Sequence, residues 1–244
     1  MATDTPIAAS SIRAIVVGAS GGIGRALADV LASSGHEVHR LSRSVSQSGA
    51  VPAGQVDVTV EASVAAAARL LVPSAPYPII IVASGLLHNG EVTPEKTIRD
   101  VDSDGLLKYY AVNSVGPTLV AKHFIPLLPR TGRCVFAVLS AKVGSISDNR
   151  LGGWYGYRAS KAALTMLVKT LAIEVGRTRP EAICVTLHPG TVDTALSAPF
   201  QKAVPPAKLF SAGYAAEKLL TVIDRLNVAD SGDCFGWDGE RILP

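Results

Sequence analysis

Arg13-Ala-Ile-Val-Val17 runs straight into Gly18-Ala-Ser-Gly-Gly-Ile-Gly24, and this junction decides how the 244-residue chain is read. A short β-branched run stops at a glycine-rich turn, and a helical pattern follows from Arg25 to Ser34, closed by Gly35. Gly18 permits the tight turn, while Gly22 and Gly24 allow close approach of a pyrophosphate and packing of the helix on the strand. The helix start presents unpaired N–H groups to phosphate charge, which adds Ser20 and Ile23 to the candidate lining. The spacing is G-x-x-x-G-x-G rather than G-x-G-x-x-G, so the glycines alone also fit an ordinary strand-to-helix turn.

Outward from this junction the strand–helix alternation continues. Strands are expected at Glu37–Leu41, Gln55–Val58, Pro78–Ala83, Cys134–Leu139, Ala182–Leu187 and near Cys234–Trp237. Helices are expected at Ala62–Leu71, from about Asp104 to Leu128, from about Tyr155 to Val175, and near Gly213–Leu226. The strands are continuous apolar runs, the pattern of strands covered on both faces. The expected fold is α/β, a Rossmann-type doubly wound parallel sheet in a single domain spanning 1–244, with 1–10 disordered and 190–212 a substrate loop. In that loop, Phe200, Pro205, Pro206 and Phe210 read either as an apolar lid or as packed surface.

Composition narrows the function classes. Hydrophobic residues make up 48% and charged residues 18%, enough apolar material for a large core. The net charge of +3 comes from scattered residues, so neither a nucleic-acid footprint nor a polybasic membrane patch is expected. Cys134, Cys184 and Cys234 are far apart with no C-x-x-C pair, which disfavours a disulfide framework or a metal site and suits a cytoplasmic protein. No secretory leader and no run of 18 apolar residues is read in the sequence.

At the end of the second strand, Leu41-Ser42-Arg43-Ser44 offers a hydroxyl and a guanidinium but no carboxylate. That set suits a ribose 2′-phosphate, hence NADP(H) rather than NAD(H), although a solvated loop arginine reads the same way. Asp57 is a candidate acceptor for an adenine amino group. Further on, Tyr157-Arg-Ala-Ser-Lys161 places a phenol and an ammonium one helical turn apart. A neighbouring Lys⁺ stabilises a phenolate and brings tyrosine acid/base chemistry closer to neutral pH.

Gly18–Gly24, Asn113 within Ala-Val-Asn-Ser-Val-Gly-Pro, Tyr157–Lys161 and His188-Pro-Gly-Thr-Val-Asp-Thr194 follow one another as in the short-chain dehydrogenase/reductase superfamily, which the chain resembles over nearly its whole length. Gly144-Ser-Ile146, Trp154–Leu164 and Gly190–Phe200 resemble its C-factor-like branch. The resemblance implies that Tyr157 is the general acid or base, that Lys161 tunes it and holds the nicotinamide ribose, and that Asn113 kinks its helix and binds a relay water. It implies a cofactor contour of Val58, Ser84, Gly85, Pro189, Gly190, Val192 and Thr194, and association as a homodimer or homotetramer.

Three departures stand out: Ala141 where the family has a substrate-orienting serine, Val82-Ala-Ser-Gly85 in place of Asn-Asn-Ala-Gly, and Val17 in place of threonine. Ser140 is taken as the catalytic hydroxyl, with Ser145 as the other candidate. The expected function is NADP(H)-dependent hydride transfer to or from a small carbonyl or alcohol substrate. The alternative is a nucleotide-binding sensor or signalling protein with little or no turnover, because Ala141 lacks the hydroxyl. An epimerase of the extended branch would want more than the roughly 55 residues after Pro189.

Overall fold

A computed structural model describes residues 11–43 and 54–244. The expectation for 1–10, and Ser44 beside Arg43, lie outside the described residues.

Each central strand feeds two cores. From β1 (Arg13–Val17), Ile15 and Val17 enter one apolar cluster and Ala14 and Val16 the other, all four fully buried. β4 (Ile79–Val82), β5 (Cys134–Leu139) and β6 (Ala182–His188) divide in the same way, for example Phe136 and Val138 against Val135 and Ala137. Strands with no solvent face gain nothing from polar residues at alternate positions, so their sequences are unbroken apolar runs. The first cluster is closed by α2 (Glu61–Leu71), α4 (Gly116–Phe124) and α5 (Tyr155–Gly176), the second by α1 (Gly22–Ser33) and α6 (Ala212–Arg225). On α1, Leu27, Ala28 and Leu31 lie at helical spacing on the buried face.

With β2 (Glu37–Ser42), β3 (Gly54–Gln55), β9 (Cys234–Gly236) and β10 (Arg241–Ile242), the sheet order is β10-β9-β6-β5-β4-β1-β2-β3. All pairs are parallel except β9 with β10. The chain therefore reverses its direction of winding between β1 and β4, which opens a crevice at their carboxyl ends where ligands bind in such sheets. This is the expected Rossmann-type doubly wound sheet.

Local differences have local causes. The third strand is only Gly54–Gln55, because Val56 and Val58 turn into the core and Asp57 starts a turn by accepting from the backbone and hydroxyl of Thr59. The helix expected from 104 to 128 is three pieces: α3 (Ser103–Tyr110), a π turn at Ala111–Val115, and α4, closed by a 3₁₀ turn at Ile125–Leu127. β10 and the small separate pair β7 (Thr191–Val192) with β8 (Leu209–Phe210) are too short to read from periodicity. Among the described residues, no helix is long and apolar enough to cross a membrane.

Candidate active site

The glycine turn is pinned to the sheet before any ligand is considered. The amides of Gly18 and Ala19 both donate to Leu41 O, at 2.8 and 3.1 Å. Gly18 has φ +87°, and a Cβ there would lie 2.7 Å from Ser84 N. A Cβ on Gly24 would run into the Gly18 carbonyl oxygen, and one on Gly22 would come within 2.5 Å of Thr194 Cγ2. Much of the glycine requirement is thus the packing of α1, β4 and the segment after β6 against the turn. The open position is Gly21, the N-cap of α1, exposed and without a side-chain cap bond. No acidic residue lies in the first turn of α1, so its N–H groups face outward with a positive partial charge. Ser20 is exposed at this mouth, whereas Ile23 is half-buried against the second core.

Polar groups converge at the carboxyl ends of β4, β5 and β6. Ser84 Oγ, Ser140 Oγ and His188 Nδ1 are buried there with no hydrogen-bond partner among the described residues. Buried polar atoms without partners are uncommon, and three at the strand ends fit a polar ligand such as a nicotinamide ribose and carboxamide. Burial lowers His188 to about 4, so its ring is neutral at pH 7. Gly190, at φ +78°, packs where a Cβ would press on Phe210 and Trp237. Pro189 and Val192 are buried beside it.

Arg43 is exposed just past β2 and Ser42 is buried at the strand's end. Asp57 is held below the usual carboxylate range, chiefly by hydrogen bonds from Thr59. Its Oδ1 is occupied by that turn. The Val58 side chain is core, packed where a Cβ on Gly116 would lie 2.8 Å away, so only its backbone is available to a ligand.

Tyr157 and Lys161 occupy the first two turns of α5, and both are buried. Lys161 Nζ donates to Leu139 O at 2.9 Å and lies 5.9 Å from the Tyr157 ring centre. Burial brings the ammonium down to about 8 and pushes the Tyr157 phenol above its usual 10. In this arrangement desolvation governs both groups.

Asn113 sits in the π turn, fully buried. Its Oδ1 accepts from Leu86 N at 2.8 Å, and its Nδ2 donates to Leu86 O at 2.8 Å and to Ser160 Oγ at 3.1 Å. Asn113 therefore fastens the chain after β4 to α5. A Cβ on Gly85 would stand 3.8 Å from Asn113 Oδ1 and 3.9 Å from Lys161 Nζ, so the three positions converge.

Ala141 packs against a third apolar cluster, which includes Tyr157. Ser145 Oγ accepts from Asp148 N at 3.1 Å and meets Ser147 Oγ at 3.3 Å. Ser140 retains an uncommitted hydroxyl.

Sequence reading missed two residues. Glu95 is buried, and both its carboxylate oxygens accept from Gly156 N at 3.2 Å, satisfying a first-turn amide of α5 that has no partner within its helix. Glu95 O also accepts from Trp154 N at 2.5 Å. Trp154 caps α5 in the left-handed region, φ 54° and ψ 44°, a conformation costing a non-glycine residue roughly 1–2 kcal/mol. Its indole stands edge-on to Tyr157 and Phe200, with ring centres 6.0 and 5.1 Å away. The one available signal was Gly152-Gly153 before Trp154, both at positive φ.

Residues 13–205 match the short chain dehydrogenase family, and the chain belongs to it. It is an oxidoreductase fold of the dehydrogenase/reductase class. Among curated relatives, C-signal of Myxococcus xanthus is 35% identical over 59% of this chain and 82% of its own length. Benzil reductase ((S)-benzoin forming) of Bacillus subtilis is 31% identical over 75% of this chain and 76% of its own. Among solved structures, the NADPH-bound carbonyl reductase from chicken fatty liver superposes with TM-score 0.82 at 24% identity, covering 96% of this chain and 94% of that one. Carbonyl reductase Sniffer of D. melanogaster gives TM-score 0.81 at 21% identity, over 96% of this chain and 100% of that one.

Proposed function

We propose that the chain is an NADP(H)-dependent reductase of small carbonyl compounds. The observation that carries this reading is Tyr157, a phenol kept protonated by burial, one helical turn from the buried Lys161, whose ammonium reaches Leu139 O at the end of β5. When bound, a nicotinamide cofactor supplies the two-electron reductant to the carbonyl carbon. Tyr157 Oη donates a proton to the carbonyl oxygen as negative charge develops there, and the phenolate left behind is stabilised by Lys161. Asn113, through its bonds to Leu86 and Ser160, holds the wall of this site in place. Ser140 is the hydroxyl on the β5 end that serves in place of the family serine. Arg43, exposed at the end of β2, supports a 2′-phosphate over a free 2′-OH. The NADPH-bound carbonyl reductase and the benzil reductase named above agree with this reaction class.

Ala141 favours a second reading, a nucleotide-binding sensor without turnover. Oxidation of NADPH against a panel of aldehydes, ketones and diketones decides between the two. A reductase shows turnover that Tyr157→Phe lowers by about 10²–10⁴ with NADPH binding retained. No turnover in the wild type, with activity emerging in Ala141→Ser, overturns the first reading and supports the second.

The exposed Leu107, Met166 and Ile173 on α3 and α5 support association of copies of the chain through these helices. Met166→Asp is expected to lower the mass measured by light scattering.

A further inference from the structure

Three rings and a few aliphatic side chains pack around the Tyr157 ring. Tyr109 and Trp154 stand edge-on to it at 6.2 and 6.0 Å, and Phe200 stands edge-on to Trp154 at 5.1 Å. Leu86, Leu87, Val92, Ala141 and Val143 complete the apolar cluster, and the buried Lys161 ammonium lies 5.9 Å from the Tyr157 ring centre.

The rings differ in how they are held. Tyr109 is fully buried and donates to Leu87 O at 2.7 Å. Trp154 is fixed by its backbone bond to Glu95 and by the helix it caps. Phe200 alone comes from the surface, on a 3₁₀ turn at Ala198–Ala203, half-buried, its far side against the His88 ring at 5.6 Å. At 5.1 Å between centres, no third ring fits between Phe200 and Trp154. Phe200 thus lies on the indole surface next to the phenol that a substrate needs in order to reach Tyr157.

We propose that Phe200 is a self-supplied plug in an aryl subsite, and that the substrate is a ketone or aldehyde whose aromatic ring, attached at the carbonyl carbon, displaces Phe200 from Trp154. This rests on the reductase reading for the carbonyl and adds the ring. A flat ring regains the edge contact that Phe200 gives up, whereas a saturated ring of equal size regains only apolar contact.

The test measures binding of acetophenone and of cyclohexyl methyl ketone to the NADP⁺-loaded protein by calorimetry, alongside their turnover with NADPH. Acetophenone is expected to bind about fivefold more tightly than the cyclohexyl ketone, and Trp154→Leu to abolish that preference. Phe200→Ala is expected to tighten acetophenone binding by a similar factor of about five, because no plug has to leave, with Phe200→Leu intermediate. Equal binding of the two ketones, binding of neither, or weaker acetophenone binding in Phe200→Ala overturns the proposal. Aryl-selective binding without turnover leaves the subsite standing and overturns the reductase reading. Turnover of both ketones with equal affinity does the reverse.

Discussion

The Gly18–Gly24 turn and the Trp154–Lys161 segment lie at the same edge of the sheet and are built by opposite means. The first is made of bare backbone: its shape depends on what glycine lacks, because Ser84, Thr194 and the Gly18 carbonyl take the space where Cβ atoms would stand. The second depends on side chains arriving from elsewhere, with Glu95 capping α5, Tyr109 and Trp154 walling the phenol, and Asn113 fastening the adjacent strand end. A turn made of absences tolerates no added atom at Gly18, Gly22 or Gly24. A pocket made of converging side chains tolerates substitutions in proportion to the bonds each one breaks.

The largest expected effect therefore falls on the turn. Gly24→Ala drives a methyl into the Gly18 carbonyl oxygen and should cost about 3 kcal/mol in a urea titration. A loss under half a kcal/mol would show that the turn relaxes, and the contrast would fail.

Lys161 comes next. Its folded-state value of about 8 lies below the usual 10.5, so between those values the unfolded chain binds more protons and stability rises with pH. Denaturation midpoints at pH 7.5 and 10 should show a gain of about 1–3 kcal/mol in the wild type relative to Lys161→Met. An identical pH response in the two proteins would mean that the lysine is not desolvated.

Glu95→Ala leaves Gly156 N–H buried without an acceptor, at a cost of about 2 kcal/mol, while Glu95→Gln keeps an acceptor oxygen and should lose less than half of that. Equal losses would assign the role to charge rather than to the hydrogen bond. The smallest effect is at the exposed rim: Arg43→Ala should weaken NADPH binding by roughly tenfold and leave NADH binding unchanged, as read by fluorescence titration. Equal weakening of both would remove the 2′-phosphate from the Arg43 account.

The same contrast explains what the sequence revealed. The sheet, its winding and the glycine turn were legible because each depends on residues adjacent in the chain: apolar strands, a β-branched run ending in glycine, a tyrosine and lysine at helical spacing. Glu95 was not legible, because its target Gly156 is 61 residues away and a lone glutamate in a loop reads as solvated. That the Val58 side chain belongs to the core was not legible either, because it depends on Gly116 letting α4 approach it. The desolvation of Tyr157 and Lys161 was not legible, because spacing along a helix contains no information about burial.

The π turn at Ala111–Val115 bears on how this chain can change in length. A π turn holds one residue more than an α-helical turn, so it amounts to an insertion absorbed within a continuous helix. Removing one residue there lets α3 run into α4 without a break and preserves the phase of both flanking helices. The same deletion swings Asn113 around the helix axis and away from Leu86 and Ser160. Shortening the chain at this point spares the scaffold and dismantles the fastening, so a single-residue deletion would separate the inheritance of the fold from the inheritance of the site.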